Sequence, residues 1–245
     1  MFKNVYIKNI IILFMISIIC TGCKNREEKL IMVTEASFAP YEYYSDGKIV
    51  GVDVDIASEI AKEMGKKLVV KDVAFDSIIH EVKSGKADIG VAGISFSEER
   101  AKQVDFSVNY TTSKQVVIVR KNSKINDASE INNKRIAVQL GSVADLYVSE
   151  EYDNKNIIRQ KKYLAAIQDL KDNKVDCVVM DELPAKQIVN ENNDIRILDE
   201  ALAEDNYGII VDKGNTELLE VINRVINRLK EEGKIDEYVL RHSSN

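Results

Sequence analysis

The chain has 245 residues, of which 45% are hydrophobic and 30% are charged. This composition is ordinary for a globular protein and provides enough apolar residues for one domain or two smaller ones. The formal net charge of −6 at pH 7 argues against nucleic acid as a partner, because nucleic acids are bound by basic surfaces.

The N-terminal segment predicts an export signal. Lys3 and Lys8 provide a positive flank, and the apolar run IIILFMISII at residues 10–19 is short for a membrane-spanning helix. The next residues, Thr21-Gly22-Cys23, resemble a bacterial lipobox, in which the cysteine is lipidated and becomes the new N-terminus. One difference is that Cys20 stands where the lipobox usually has leucine.

The lipobox resemblance implies a lipoprotein signal peptide over residues 1–22 and a lipid anchor on Cys23. A plain secretory signal and an uncleaved anchor are the alternatives. Two acyl chains hold a domain on a membrane far better than one, so we expect an extracytoplasmic protein on a bacterial membrane. With Cys23 lipidated, no intramolecular disulfide is available, and Cys177 within CVVM is expected to be a small buried hydrophobe.

Periodic apolar residues predict alternating strands and helices in the first half of the chain. One helix is predicted over residues 53–65, with acidic residues at its start and Gly65 at its end. A second helix, over residues 76–84, is ended by Gly85. Short apolar runs predict strands at residues 30–34, 67–70 and 88–93.

The second half of the chain repeats the spacing of the first. The pattern Phe75…Ile79…Val82-Lys83…Gly85-Lys86…Asp88-Ile89 corresponds to Tyr163…Ile167…Leu170-Lys171…Asn173-Lys174…Asp176-Cys177. In each copy an aromatic residue opens a helix, Gly or Asn ends it, and a buried strand follows. Any βαβ unit produces a related pattern, but the match in spacing is closer than that. We therefore predict an α/β protein with two similar lobes, each with a mostly parallel central sheet.

Two later segments predict how the lobes are connected. The run QVVIVR at residues 115–120 predicts a strand, and Tyr207–Val211 predicts another, followed by a long amphipathic helix at residues 216–232. If the strand at Tyr207 returns to the first lobe, the chain crosses twice, and two crossings form a hinge beside a cleft. We place lobe one at residues 30–109 and 208–241, lobe two at residues 115–204, and the two-segment hinge near residues 110–114 and 205–207.

Polar and aromatic side chains follow the predicted strands. Because ligands of α/β sheets bind beyond the carboxyl ends of the strands, these residues are candidates for a single site in the cleft. In chain order they are Glu35, Phe38, Phe75, Ser95, Arg100, Gln139, Ser142 and Asp181.

Arg100 is the candidate best suited to an anion. Ser97 has the position of an N-cap for a short helix that carries Arg100, so backbone N–H groups and the guanidinium can converge on one anion. A guanidinium binds a carboxylate in bidentate fashion, which fixes the orientation of the ligand. Asp181, in the opposite lobe, would then face the positive end of a small zwitterion. The alternative is that Arg100 forms a surface ion pair with Glu98, Glu99 or Asp105.

The other candidates have structural alternatives too. Asp181 could simply start the helix ahead of Pro184, Phe38 and Phe75 could belong to the core, and Glu35 could be an ordinary exposed carboxylate. The sequence has no Ser-His-Asp order, no metal-spaced Cys/His cluster and no glycine-rich phosphate loop. We therefore expect no metal and no cofactor.

Three segments resemble one protein family. They are FAPYEYYSDGKIVGVDVDIASEIAKEMG at residues 38–65, AFDSIIHEVKSGKADIGVAGISFSEERAKQVDFS at residues 74–107 and VVMDELPA at residues 178–185. Together they are similar to the extracytoplasmic polar-amino-acid-binding proteins of ABC importers, the family 3 solute-binding proteins. The resemblance covers essentially the whole mature chain. It implies a type II periplasmic-binding-protein-like fold, a free L-amino acid as ligand, an ABC transporter permease as partner and a monomer without catalytic residues.

The resemblance also implies how the ends of an amino acid would be bound. Arg100 would bind the α-carboxylate, with help from Ser95 and from the backbone at Ser142, where the family usually has threonine. The Gly93 carbonyl and the Asp181 carboxylate would accept hydrogen bonds from the α-ammonium.

The ligand side chain would lie between Phe38 and Phe75, and Glu35 and Gln139 would contact its tip. Each aromatic face attracts a cation by about 0.5–2 kcal/mol, and a charge-assisted hydrogen bond adds about 1.5–3 kcal/mol. We therefore rank arginine or lysine first as ligand, glutamine second and the acidic amino acids last.

Two other functions stay open on these grounds. A few relatives of the family are dehydratases of cyclic prephenate-like acids, and a cyclohexadienyl-dehydratase-like enzyme would need a general acid or base in the cleft. The two histidines are poorly placed for that role, since His80 follows Phe75 on a helix and His242 lies near a disordered-looking C-terminal tail. An amino-acid sensor module would bind the same ligand as a transport protein.

Overall fold

The computed structural model describes residues 28–243, so the predicted signal peptide at residues 1–22 and the predicted lipid site at Cys23 lie outside the described residues. Within residues 28–243, no helix combines the length and the apolar character that crossing a membrane requires. The described chain forms two main β-sheets flanked by helices. We call the two parts lobe one and lobe two.

Lobe one is built on a five-stranded sheet. Its strands are β1 (Lys29–Thr34), β5 (Lys67–Asp72), β6 (Ile89–Gly90), β7 (Val104–Phe106) and β14 (Ile210–Asp212), in the order β5-β1-β6-β14-β7. β1 pairs in parallel with β5 and β6, whereas β14 runs antiparallel to both of its neighbours. The sheet of lobe one is therefore completed by a strand from near the end of the chain.

A small sheet and several helices cover lobe one. The small sheet contains β2 (Ser37–Phe38), β3 (Glu42–Ser45) and β4 (Lys48–Val50). The helices are α1 (Val52–Glu63), α2 (Ile78–Lys83), α3 (Glu98–Ala101), α7 (Thr216–Glu231) and α8 (Lys234–Ser243), and a 3₁₀ turn at Phe75–Ser77 precedes α2. The buried residues of α7 recur every three or four positions, and this apolar face packs against α1.

Lobe two repeats this architecture on a six-stranded sheet. Its strands are β8 (Thr111–Arg120), β9 (Ile136–Gln139), β10 (Ile157–Gln160), β11 (Cys177–Asp181), β12 (Ile195–Ile197) and β13 (Ala203–Tyr207). Its helices are α4 (Val143–Glu151), α5 (Tyr163–Lys171) and α6 (Glu182–Glu191), with 3₁₀ turns at Ala128–Ile131 and Asn154–Asn156. The parallel strands β10, β9 and β11 are followed in the sheet by β8, which runs antiparallel to β11.

These sheets confirm the predicted α/β fold with two similar lobes and parallel central strands. Cys177 is fully buried in β11, as expected for a small hydrophobe, and burial raises the pKa of its thiol to about 12.

The predicted strand at Tyr207–Val211 is wrong, because the run is divided between two sheets. Tyr207 is the last residue of β13 and pairs with Thr111 in lobe two, whereas β14 starts at Ile210 in lobe one. Gly208 lies between the lobes and donates its N–H to the carbonyl of Ile94. An unbroken apolar run indicates burial but does not identify the sheet that buries it. The predicted strand at residues 88–93 is likewise regular only at Ile89–Gly90.

The disorder expected near His242 is also contradicted. Residues up to Ser243 form α8, which packs beside α1 and α7. His242 is buried on this helix, with its Nε2 2.6 Å from Asp55 Oδ2 and its Nδ1 3.0 Å from the Tyr43 hydroxyl. The two polar partners of His242 come from α1 and β3, so the sequence near the C-terminus could not indicate them.

The variant His242→Ala is expected to lower the free energy of unfolding by about 1–3 kcal/mol, because it leaves Asp55 and Tyr43 without their buried partner. Urea unfolding followed by circular dichroism measures the change. Asp236→Asn, an exposed change on the same helix, is the control and should stay within about 0.5 kcal/mol of the unsubstituted protein. Equal stability of both variants would show that the C-terminal helix is not held by His242.

Candidate functional site

The predicted site residues converge on one cavity between the two sheets. The cavity is narrow, because the space open to the centre of a water molecule is only about 10 Å³, which corresponds to roughly one water molecule. Eight of the nine predicted residues line it, and these are Glu35, Phe38, Phe75, Gly93, Ser95, Gln139, Ser142 and Asp181.

Arg100, the ninth predicted residue, lies beside the cavity on α3. Ser97 caps this helix, with its Oγ accepting a hydrogen bond from the Arg100 N–H at 3.2 Å. The buried guanidinium donates from Nη1 to the Ser95 carbonyl at 2.6 Å and from Nη2 to the Gly141 carbonyl at 2.8 Å. Its central carbon lies 5.7 Å from the centre of the Phe75 ring. Arg100 is thus positioned by lobe one and hydrogen-bonded to lobe two.

The surface ion pair considered for Arg100 is not formed. Among residues 28–243 no carboxylate lies within ion-pair distance of its guanidinium. Asp105 instead pairs with Lys213 at 2.7 Å. Burial lowers the pKa of Arg100, and the charges of Asp205 and Asp181 oppose that effect from a distance. The two carbonyls accept from two of the five N–H groups of the guanidinium and leave its charge uncompensated, which favours binding of an anion.

Asp181, at the end of β11, provides the opposite charge. Its Oδ1 accepts hydrogen bonds from Ser113 Oγ at 2.9 Å, from Gln115 Nε2 at 2.8 Å and from the Tyr207 hydroxyl. The side chain makes no capping hydrogen bond to α6, so it does not serve merely to start that helix. Burial, and next the charge of Asp205, raise the pKa of Asp181. Because all three donors contact Oδ1, Oδ2 is left to accept a further hydrogen bond.

Glu35 connects the two lobes at the other end of the cavity. It is only 2% exposed, and the Ser37 hydroxyl donates to its carboxylate at 2.7 and 2.8 Å. From lobe two, Lys162 Nζ lies 3.0 Å from Oε1, and Gln139 Nε2 donates to Oε2 at 3.3 Å. Glu35 is therefore a buried carboxylate with a cationic partner, not an ordinary surface residue. Lys162 was not among the candidates from the sequence.

The two predicted aromatic residues, Phe38 and Phe75, have different neighbours. Phe38 stacks on Tyr163 of lobe two, with ring centres 5.7 Å apart and an angle of 22° between the rings, whereas Phe75 lies beside Arg100. Gly93 has a φ of +53°, and a Cβ atom there would come within 2.8 Å of Phe38 Cε1. Only glycine fits this position well. Tyr163 was missed as a site residue, although the internal repeat aligned it with Phe75 and so carried the signal.

The two predicted serines are held by backbone contacts. Ser142 is the N-cap of α4, and its Oγ accepts a hydrogen bond from the N–H of Asp145 at 3.1 Å. Ser95 is 1% exposed and gives its carbonyl to Arg100. Both residues line the cavity, and the N–H of Ser142 donates to the Gln139 carbonyl at 3.1 Å.

A pair of buried carboxyl groups, Glu42 and Asp53, also escaped the sequence analysis. Glu42 lines the cavity beside Asp53, whose Oδ2 accepts from Gly93 N at 2.9 Å and from the Tyr110 hydroxyl at 3.0 Å, whereas Glu42 Oε2 and Asp53 Oδ1 are buried without a donor of their own. Burial, and then the charge of Asp53, raise the pKa of Glu42 well above its ordinary value, and burial raises the pKa of Asp53 to about 6. Two buried carboxyl groups in contact are compatible with low energy only if they share a proton.

Metal binding finds no support in the described part of the chain. Residues 28–243 contain no group of three or more His, Cys, Asp or Glu side chains arranged to hold a metal ion. The arrangement instead offers one buried cation, several carboxyl groups and aromatic faces, which together suit a small charged solute.

Comparisons with known proteins agree with that chemistry. A family model described as bacterial extracellular solute-binding proteins, family 3, matches residues 30–244. The arginine-binding extracellular protein ArtP of Bacillus subtilis is 30% identical over 221 residues, which span 88% of this chain and 86% of ArtP. The family model and this relative are both described as binding proteins, which favours binding over the dehydratase alternative.

Two solved structures are similar over most of the chain. The amino acid ABC transporter substrate-binding protein AbpA from Streptococcus pneumoniae, bound to L-arginine, is 33% identical with a TM-score of 0.84 and is matched over 88% of this chain and 94% of that chain. A mutant of ArgBP from T. maritima is 37% identical with a TM-score of 0.84, over 89% of this chain and 96% of that chain.

The shared proton predicts how stability depends on pH. A carboxyl group whose pKa is raised by folding keeps its proton longer in the folded than in the unfolded state, so stability falls as pH rises from the unfolded pKa, about 4.3 for glutamate, through the raised one. The variant Glu42→Gln cannot lose this proton and should lose less stability between about pH 5 and pH 8.

Urea unfolding of the ligand-free protein at these two pH values measures the difference. Glu220→Gln, on the exposed side of α7, is the control and should lose as much stability as the unsubstituted protein. An equal loss in Glu42→Gln would contradict a proton shared with Asp53.

Proposed function

Because this chain belongs to the bacterial extracellular solute-binding proteins of family 3, we propose that it binds a basic L-amino acid in its cleft and delivers it to an ABC transporter. The family membership confirms the resemblance of the three sequence segments and assigns the protein to an extracytoplasmic class. Within that class, the choice of ligand depends on the charges of the cleft.

The observation that carries the proposal is a pair of buried, opposite charges from different lobes. Arg100 would bind the α-carboxylate, together with Ser95 and the backbone at Ser142. Asp181 would accept a hydrogen bond from the α-ammonium at Oδ2, and the Gly93 carbonyl would accept another. An L-amino acid zwitterion supplies the anion that Arg100 lacks and the donor that Asp181 Oδ2 can accept.

The side chain of the ligand would extend toward Glu35 and Gln139, along Phe38 and Phe75. Carboxyl groups outnumber cations around the cavity, because Glu35, Glu42 and Asp181 line it whereas Arg100 and Lys162 lie at its edge. A ligand with a positive net charge reduces this imbalance, whereas an acidic amino acid would increase it. The names of the similar proteins, an arginine-binding protein and one bound to L-arginine, support the same order. Arginine or lysine ranks first, glutamine second and the acidic amino acids last.

Closure of the lobes would couple binding to delivery. We place lobe one at residues 30–109 and 208–241, lobe two at residues 115–204 and the hinge near residues 110–114 and 205–207. The antiparallel pairing of β8 with β13 supports this hinge, because both crossings then run side by side. A ligand held by lobe one gains contacts with lobe two only in the closed state, so it shifts the population toward closure. The permease would recognise the closed pair of lobes.

We further propose that Cys23 carries a lipid anchor and that the protein acts as a monomer on the outer face of a bacterial membrane. The lipobox-like Thr21-Gly22-Cys23 supports the anchor.

The proposed ligand order predicts the outcome of a thermal-shift screen of residues 23–245 against single amino acids. L-Arginine and L-lysine should raise the melting temperature most, L-glutamine less, and L-glutamate and L-aspartate least. The reason is mass action, since ligand at 100 times its Kd stabilises the folded state by about 2.7 kcal/mol. Titration calorimetry then gives each Kd, and tightest binding of an acidic amino acid would overturn the order.

The opposed charges predict that Arg100→Ala and Asp181→Ala each abolish detectable binding of L-arginine, because each removes the partner of one charged end of the ligand. Calorimetry measures binding, and circular dichroism checks that both variants remain folded. Lys102→Ala removes an exposed cation two residues from Arg100 and should leave the Kd unchanged. Normal binding by a folded Arg100→Ala or Asp181→Ala variant would rule out this site.

A further inference from the structure

We infer that Lys162 is an internal cation that a basic ligand displaces from Glu35, and that it thereby determines how strongly the protein prefers basic over neutral amino acids. The inference rests on the proposed function and concerns the end of the cavity where the tip of the ligand would lie.

Lys162 and Glu35 differ greatly in their exposure to solvent. Lys162 Nζ lies 3.0 Å from Glu35 Oε1, yet the lysine side chain is 48% exposed and the glutamate side chain is 2% exposed. Glu35 is held in place by the Ser37 hydroxyl, which contacts both carboxylate oxygens. The carboxylate is therefore fixed and buried, whereas its cation is attached from the solvent side.

Lys162 has space into which it can withdraw. It directly precedes Tyr163, the first residue of α5, which lines the cavity. On its other side, Lys162 lines an outer groove together with the exposed side chains of Tyr44 and Leu164. Rotation about the lysine side-chain bonds moves the ammonium from Glu35 to this groove without any change in the backbone.

Glu35 requires a cation whichever ligand is bound, because a buried carboxylate without a positive partner is costly. A guanidinium or ammonium on the ligand can be this positive partner, and Lys162 then only repels the ligand. A neutral amide cannot fulfil the need, so Lys162 has to remain in place when glutamine is bound. Removal of the lysine charge should therefore affect the two ligands in opposite directions.

The test compares the Kd values of L-arginine and L-glutamine in the unsubstituted protein and in Lys162→Met, measured by calorimetry on residues 23–245. The ratio of the glutamine Kd to the arginine Kd should rise by about tenfold or more, which corresponds to about 1.4 kcal/mol. Any change in the ease of lobe closure affects both ligands and cancels in this ratio.

Two further variants separate charge from structure. Lys161→Met removes the neighbouring exposed cation, whose side chain does not contact Glu35, and should keep the original ratio. Lys162→Arg retains a cation at the same position and should keep the ratio within about threefold.

An unchanged ratio in Lys162→Met, or an equal rise in Lys162→Arg, would overturn the inference and reduce the contact to an ordinary surface ion pair. Failure of the unsubstituted protein to bind any L-amino acid would instead contradict the proposed function itself, and the inference with it.

Discussion

A guanidinium buried between two lobes is the interaction on which the rest of the cleft depends. Arg100 is 5% exposed, and the carbonyls that accept its hydrogen bonds belong to Ser95 in lobe one and Gly141 in lobe two. Neutral carbonyls satisfy N–H groups but do little to offset the loss of hydration of a full charge. Three elements hold Arg100 in one place. They are the capped helix α3, the segment after β6 that carries Ser95 and the turn before α4 that carries Gly141. An anion that arrives there meets a group already oriented for it.

The remainder of the cleft has the opposite character, since carboxyl groups surround the single buried cation. Each carboxyl group is stabilised by different partners. Asp181 is stabilised by three neutral donors, Glu35 by a lysine at the rim, and Glu42 shares a proton with Asp53. These arrangements keep an acidic cavity stable while a cation is not there to neutralise it.

The parts of this protein that could be predicted from sequence are those governed by local patterns. Periodic apolar residues identified α1, α7 and the strands β1, β5 and β8, and the rule that ligands bind beyond strand ends identified seven residues of the cavity wall. The errors arose where distant segments decide the outcome. The run at Tyr207–Val211 is divided between two sheets, and the C-terminal helix is joined to the rest of lobe one by the contacts of His242 with Asp55 and Tyr43. Glu42 and Lys162 were missed because hairpin and loop residues carry no periodic signal.

Tyr207 is the last residue of a strand that crosses between the lobes, and its hydroxyl donates to Asp181. The same ring packs against Tyr41 and Tyr110. Under the proposed closure, one side chain belongs both to the crossing about which the lobes bend and to the carboxylate proposed to hold the ammonium end of the ligand. A substitution of Tyr207 would then change the rate of opening and the affinity together.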